Sequence, residues 1–292
     1  MNQMHKRGLL YGGATLILAA IGYTWANRCQ DADVMTLLSS VDVQLRLANA
    51  IPALDLDGKP LASRLEMITS AEQNLAIVER LEPGLANAAE FTGFAHMLRG
   101  RFADAAIHYE RAQQCKDCAD EQRDVLAFNQ ARMLAQAGQK EQALAAFAKN
   151  GPRLDRRYGH QRALEEAAIL RQLGRRPESE QRLLAVVADT AAMPMASLQA
   201  GTELLEWGNL AAAEVALARA ESEVPIAAYY LARLKLQQND VDTALGLLER
   251  AAKVQPTEVR RRLSQEAAAW SAIAADARFQ ELKRPPAATP VR

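Results

Sequence analysis

The sequence is short of the residues that build sheets, disulfide scaffolds and phosphate cradles. Three cysteines in 292 residues exclude a disulfide framework. Aromatic residues make up 5% of the chain, and glycine (15) and proline (11) are sparse, which disfavours a large sheet with its turns. Net charge is missing too: 35 Lys and Arg balance 35 Asp and Glu, against a protein built to coat nucleic acid. There is no Gly-rich phosphate loop, no His-Glu-x-x-His and no Gly-x-Ser-x-Gly. No catalytic residue, cofactor or metal is therefore expected, and the chain does not read as an enzyme. What is plentiful is alanine, leucine, glutamine and arginine. With 49% hydrophobic residues a sizeable core is available, and that mixture favours helix.

The N-terminal residues form one long apolar run. Lys6 and Arg7 in the flank 1–7 precede 19 uncharged residues, Gly8 to Ala26. At about 1.5 Å per residue such a helix covers roughly 30 Å of hydrocarbon. Tyr11 sits near one edge, and Tyr23 and Trp25 near the other, where aromatic rings favour a membrane interface. Asp31 and Asp33 follow the run, so the charge asymmetry predicts a cytoplasmic N-terminus. The expectation is a single-pass inner-membrane anchor over 8–26 with the remaining chain in the periplasm. A cleaved signal peptide is the competing reading, although Thr24-Trp25-Ala26 is a poor small-x-small site.

The rest of the chain repeats. From Gly100, Gly138, Gly208 and Asn239 the same pattern runs on: a small residue five positions later and a bulky one four after that. These are Ala105 and Tyr109, Ala143 and Phe147, Ala213 and Leu217, and Ala244 and Leu248, with Ala112, Ala220 and Ala251 completing three trios. Steps of four and three fall on one helical face. A weaker copy starts at Gly174, with Ser179 and Leu183 in the two places. The turn residues are spaced by 38, 36, 34 and 31, and seven positions before each lies a small residue: Gly93, Ala131, Ala167, Gly201 or Ala232. Each unit reads as helix, tight turn suited to positive φ, helix. Pro225 and Pro256 close two of them.

This pattern resembles the tetratricopeptide repeat (TPR) family over residues 86–256, and more faintly over Pro52–Pro83, where Ala71, Leu75 and Val78 keep the second-helix spacing. The family's early Trp is absent from every copy. The resemblance implies an all-α fold: a solenoid of stacked helix-turn-helix repeats, preceded here by the N-terminal transmembrane helix. Residues 32–85 form an N-terminal helical region. Residues 257–283 form one capping helix, with Arg260, Arg261 and Arg262 on its outer side. Residues 284–292 make a proline-rich tail without core-forming residues.

The family's first helices line a concave groove that holds a peptide or a partner helix. By phase, the resemblance assigns Glu90, Phe94, Met97, Phe128, Arg132, Leu164, Arg171, Leu198, Thr202, Tyr229 and Arg233 to that surface. Aromatic residues interleaved with Arg are types enriched at binding hot spots. The family's cluster of Lys and Asn for a C-terminal carboxylate is not reproduced.

Two local features stand apart from the repeat. Cys115-Lys-Asp-Cys118 falls at a helix end, where a disulfide that staples the loop is the leading reading. Free thiols, a redox pair or a metal site completed by His96 or His108 are the others. Arg153, Arg156 and Arg157 form a basic patch read as a loop. The functional expectation is a membrane-anchored interaction scaffold that aids assembly or stability of a periplasmic or inner-membrane complex, with a protein or peptide partner and no nucleic acid. The alternative is a thiol/disulfide or metal-binding module built on Cys115 and Cys118.

Overall fold

A computed structural model describes residues 33–54 and 58–284. They are helical throughout apart from turns; the nearest approach to a sheet among them is an isolated bridge between Leu54 and Pro60. The chain divides into two compact units, Met1–Gly151 and Pro152–Arg292.

In unit one, residues 33–50 form α1, followed by α2 (Ala62–Leu81), α3 (Ala86–Leu98), α4 (Phe102–Gln114) and α5 (Asp120–Gln136). Helix α1 buries Val34, Leu38, Val41, Leu45 and Ala48, a stripe at steps of three and four. It meets Ile68, Ala71, Leu75 and Val78 of α2 in one core that reaches Ala95 and Leu98 of α3. Helices α3 and α4 pack antiparallel, with Gly93 against the ring of Tyr109: a Cβ at 93 would lie 3.0 Å from it. The bulky residue of the second helix thus rests on the small residue of the first.

Helix α6 (Lys140–Gln172) contains Pro152, which has no N–H to donate, and it leaves helical geometry at Tyr158 (φ −124°, ψ 16°). Its first part belongs to unit one, where Phe147 meets Phe128 of α5 edge-on at 5.7 Å. Arg153, Arg156 and Arg157 lie on this helix and not in a loop. The run from Lys140 carries helix-favouring residues across them, and one proline does not end it.

Unit two continues with α7 (Arg176–Ala188), α8 (Pro194–Glu206), α9 (Leu210–Glu221), α10 (Ala227–Gln237) and α11 (Val241–Val254). Helices α8 to α11 pack each against the next. Gly201 of α8 sits so close to Leu217 of α9 that a Cβ would be 2.7 Å from its Cγ. In the weaker copy, Ser179 is buried and its hydroxyl donates to the Ala167 carbonyl at 2.7 Å, so the small polar residue is satisfied by the helix it faces.

The turns are built alike. Gly100, Gly138, Gly174, Gly208 and Asn239 have φ between 63° and 81°. At each, the next N–H donates to a carbonyl five residues back: Arg101 to His96, Gln139 to Leu134, Arg175 to Leu170, Asn209 to Leu204 and Asp240 to Lys235, all at 2.9–3.0 Å. This helix ending needs one left-handed residue, which costs glycine nothing and asparagine little. Asn209 and Asp240 then cap the following helices, accepting from the N–H groups of Ala212 and Thr243.

The end of unit two differs from the single helix expected over 257–283. It is α12 (Pro256–Gln265), a 3-10 turn over Ala267–Ile273, and α13 (Ala277–Lys283), which Asp276 caps. The break turns Trp270 fully into the core, where it meets Tyr229 and Phe279 at 5.3 and 6.0 Å between ring centroids. Arg262 points inward instead of outward: its guanidinium lies 5.3 Å from the Tyr230 ring centroid and donates to that hydroxyl.

The membrane placement needs correction. No helix among the described residues is long and apolar enough to cross a membrane. Helix α1, for instance, carries the ion pair of Asp42 and Arg46 on its outer face. The expected span 8–26 and the tail beyond Arg284 lie outside the described residues. The single-pass inner-membrane topology with a periplasmic repeat domain is accordingly not upheld.

Candidate protein-binding cleft

The first helices of the unit-two hairpins converge on a cleft of about 550 Å³. Arg171 at the end of α6, Thr202, Glu203, Glu206 and Trp207 around α8, and Tyr230 and Arg233 on α10 line it. Gln265, Glu266, Ala268 and Ala269 supply the far wall. The two alanines keep that wall low, which leaves the space open.

Ion pairs cross the cleft from one first helix to the next. Arg171 Nη1 reaches Glu203 at 2.9 Å. Arg233 reaches Glu206 at 2.8 Å and Glu266 at 3.1 Å, tying α8 through α10 to the residue that follows α12. Arg233 is largely buried whereas Glu206 stays 59% exposed, so Arg233 works in a lower dielectric than an ordinary surface pair. Its Nε is buried without an acceptor. Arg262 also reaches Glu266, at 3.6 Å, so the three glutamates of the lining are matched by Arg171, Arg233 and Arg262. Trp207 borders the cleft beneath Arg176, whose guanidinium lies 5.5 Å from its ring centroid and donates to the Trp207 carbonyl at 2.7 Å.

The residues assigned to a groove fall in different places. Arg171, Thr202 and Arg233 line this cleft. Tyr229 does not: it is fully buried, accepts from Trp270 Nε1 and donates to Glu266 Oε2, both at 3.1 Å. Burial, before any neighbouring charge, pushes its phenol above the ordinary value. One position along, Tyr230 takes the cleft-facing place. Glu203, Glu206, Trp207 and Tyr230 went unassigned, although the step of three from Tyr230 to Arg233 and of four from Thr202 to Glu206 carries the signal. Leu198 is buried in the core and Leu164 packs against it.

The other assigned residues lie in unit one. Glu90 and Phe94 are on α3, Phe128 and Arg132 on α5. Glu90 accepts from Gln122 Nε2 at 2.6 Å. Phe94 and Met97 pack against the α1–α3 core. The Arg132 guanidinium lies 5.9 Å from the Phe128 ring centroid.

Cys115 and Cys118, expected to close a disulfide, are present as two free thiols, the second buried. Burial is the largest influence raising both above the ordinary thiol value, the opposite of an activated thiolate. His96 and His108 stack face to face at 4.9 Å, and neither Nδ1 has a hydrogen-bond partner. Burial pushes both imidazoles down. Among the described residues no group of three or more His, Cys, Asp or Glu is placed to hold a metal ion.

No family model matches the chain, and no curated protein matches it in sequence. Among solved structures, one described as "Functional Characterization of Pseudomonas Aeruginosa pilF" aligns with a TM-score of 0.50 and 12% identity, over 78% of this chain and 98% of its own. At that identity the likeness speaks to fold alone. The fold is all-α and TPR-like.

Proposed function

We propose that this chain is a protein-binding scaffold, and that the unit-two cleft receives an extended segment of a partner whose complex it helps to assemble or stabilise. The observation that carries the reading is the cleft lining itself, where the exposed Glu206 stands beside Trp207 and Tyr230 on the first helices. The exposed Glu206 favours a basic side chain on that segment. Trp207, Ala268 and Ala269 favour an apolar side chain next to it. A helical array that presents first helices on one side supports protein partners in general.

A photo-crosslinkable residue at Tyr230, with a control at the exposed Val215 on α9, tests this in cells. The expected result is one defined adduct from position 230 that is absent at 215 and is lost on Glu206→Lys. No reproducible adduct, or one indifferent to Glu206→Lys, refutes the reading. Native electrophoresis of the crosslinked partner's complex, with and without this chain, tests the assembly role.

A further inference from the structure

The loop between α4 and α5 is unusual in holding a neighbouring helix by its start. Its residues 115–118 form a tight turn, with the Cys118 N–H donating to the Cys115 carbonyl at 3.3 Å. In such a turn the outer Cα atoms lie within about 7 Å, at the edge of disulfide reach. The two thiols are not bonded to each other, and each is engaged with a carbonyl of its own. Cys115 Sγ donates to the Arg111 carbonyl at 3.4 Å and Cys118 Sγ to the Ala119 carbonyl at 3.7 Å, in opposite chain directions. Between them, Asp117 reaches out of the loop, and its two carboxylate oxygens accept from the Ala86 N–H at 3.1 and 3.2 Å. Ala86 opens α3, and Leu85 before it offers no side-chain cap. The cap of α3 therefore comes from 31 residues further along the chain. Gln122 extends the seam, donating to Asn87 at 2.7 Å and to Glu90 at 2.6 Å.

We propose that Cys115 and Cys118 are a reversible disulfide switch whose closure withdraws Asp117 from the start of α3 and loosens the turn that carries Glu90. Closure requires both thiols to leave their carbonyls and rotate toward each other. It confines Lys116 and Asp117 in a small ring, and the peptide that aims Asp117 at Ala86 turns with them. The chemistry needs a low-molecular-weight disulfide as oxidant. The thiolate of Cys115, the more exposed partner, attacks one of its sulfurs and releases one thiolate. Cys118 then attacks the mixed disulfide at Cys115, the protein disulfide forms, and a second thiolate leaves. Two electrons pass to the oxidant, and the two cysteine protons end on the released thiols. Because burial keeps both cysteines protonated, closure is slow at neutral pH and faster in mild alkali. A plain staple would tighten the loop; this device makes the oxidised form the looser one. It stands apart from the unit-two cleft, and either can fail without the other.

The test uses the full chain with Cys29→Ser, to leave one reactive pair, incubated with oxidised glutathione. Intact mass reads the bond and hydrogen exchange reads residues 86–90. The expected result is loss of two hydrogens, exchange on the order of fivefold faster at 86–90, and recovery on reduction. Asp117→Ala in the reduced protein reproduces the fast exchange, and Cys115→Ser with Cys118→Ser abolishes the response. A disulfide that forms without change at 86–90, or a lasting glutathione adduct in place of the internal bond, overturns the proposal.

Discussion

Replacing Gly201 and Gly246 separately by alanine makes the same chemical change in two helix interiors with opposite consequences. In each, alanine reduces the conformational freedom of the unfolded chain and favours helix, a gain of about 0.8–1 kcal/mol. At Gly246 nothing lies within 4 Å of the added Cβ, so the gain stands and the protein becomes more stable. At Gly201 the added carbon meets Leu217 Cγ at 2.7 Å, Leu217 Cδ2 at 2.9 Å and Ala216 Cβ at 3.1 Å. The Cγ is a branch point, not the far end of a flexible chain, so helix α9 itself has to move. Overpacking of this kind costs about 1–3 kcal/mol. The net change at Gly201 then runs from near zero to a loss of about 2 kcal/mol. The difference between the two variants, in which the helix gain cancels, is the cleaner quantity at about 1–3 kcal/mol. Urea unfolding followed by circular dichroism measures it as a separation of midpoints at unchanged slope. Adding Leu217→Ala to Gly201→Ala removes the Leu217 part of the clash, so the double variant loses less stability than the sum of the two single losses. If Gly201→Ala matched Gly246→Ala in stability, the close approach of α8 and α9 would be wrong, and with it the reason for a small residue seven positions before each turn.

Three further outcomes follow from the geometry. Tyr229→Phe leaves Trp270 Nε1 without its acceptor and lowers stability by about 1–3 kcal/mol in the same denaturation assay. Asn239→Ala forces an ordinary residue into φ 63° and costs about 1–2 kcal/mol, whereas Asn239→Gly stays close to the parent. The His96–His108 stack makes the fold sensitive to mild acid. Burial, helped by Arg101 at His96 and by Arg111 at His108, holds both folded imidazoles below their ordinary value, so the unfolded chain binds more protons as pH falls through that value. Their contribution is complete above about 6.5 and declines below it. Urea midpoints therefore fall between pH 7.5 and 5.5, and His108→Asn flattens the dependence.

The hairpins were legible because their signal is local and repeated. A small residue, a turn residue and a small–large–small trio recur at fixed steps, and the structure buries Ala105, Tyr109, Ala213, Leu217, Ala244 and Leu248 where those steps put them. What was hidden depends on contacts between distant residues. Tyr229 and Tyr230 are adjacent and identical, and which one faces the core is decided by Trp270, 41 residues on from its hydroxyl partner. Arg262 looks solvated within a run of three arginines, yet the faces of two tyrosines draw it inward. The capping helix breaks because Trp270 has a core to enter, which periodicity alone does not reveal. The role of Asp117 is invisible for the same reason, since its partner is a backbone N–H far off in the chain.

The joints between first and second helices depend on the sign of one backbone angle and on one main-chain bond, both indifferent to the side chains around them. Evolution can rewrite nearly every letter near such an elbow provided a glycine or asparagine remains to bend it. That freedom lets hairpin geometry outlast recognisable wording, and it is consistent with a chain that resembles a solved structure in fold but shares only about one residue in eight of its text.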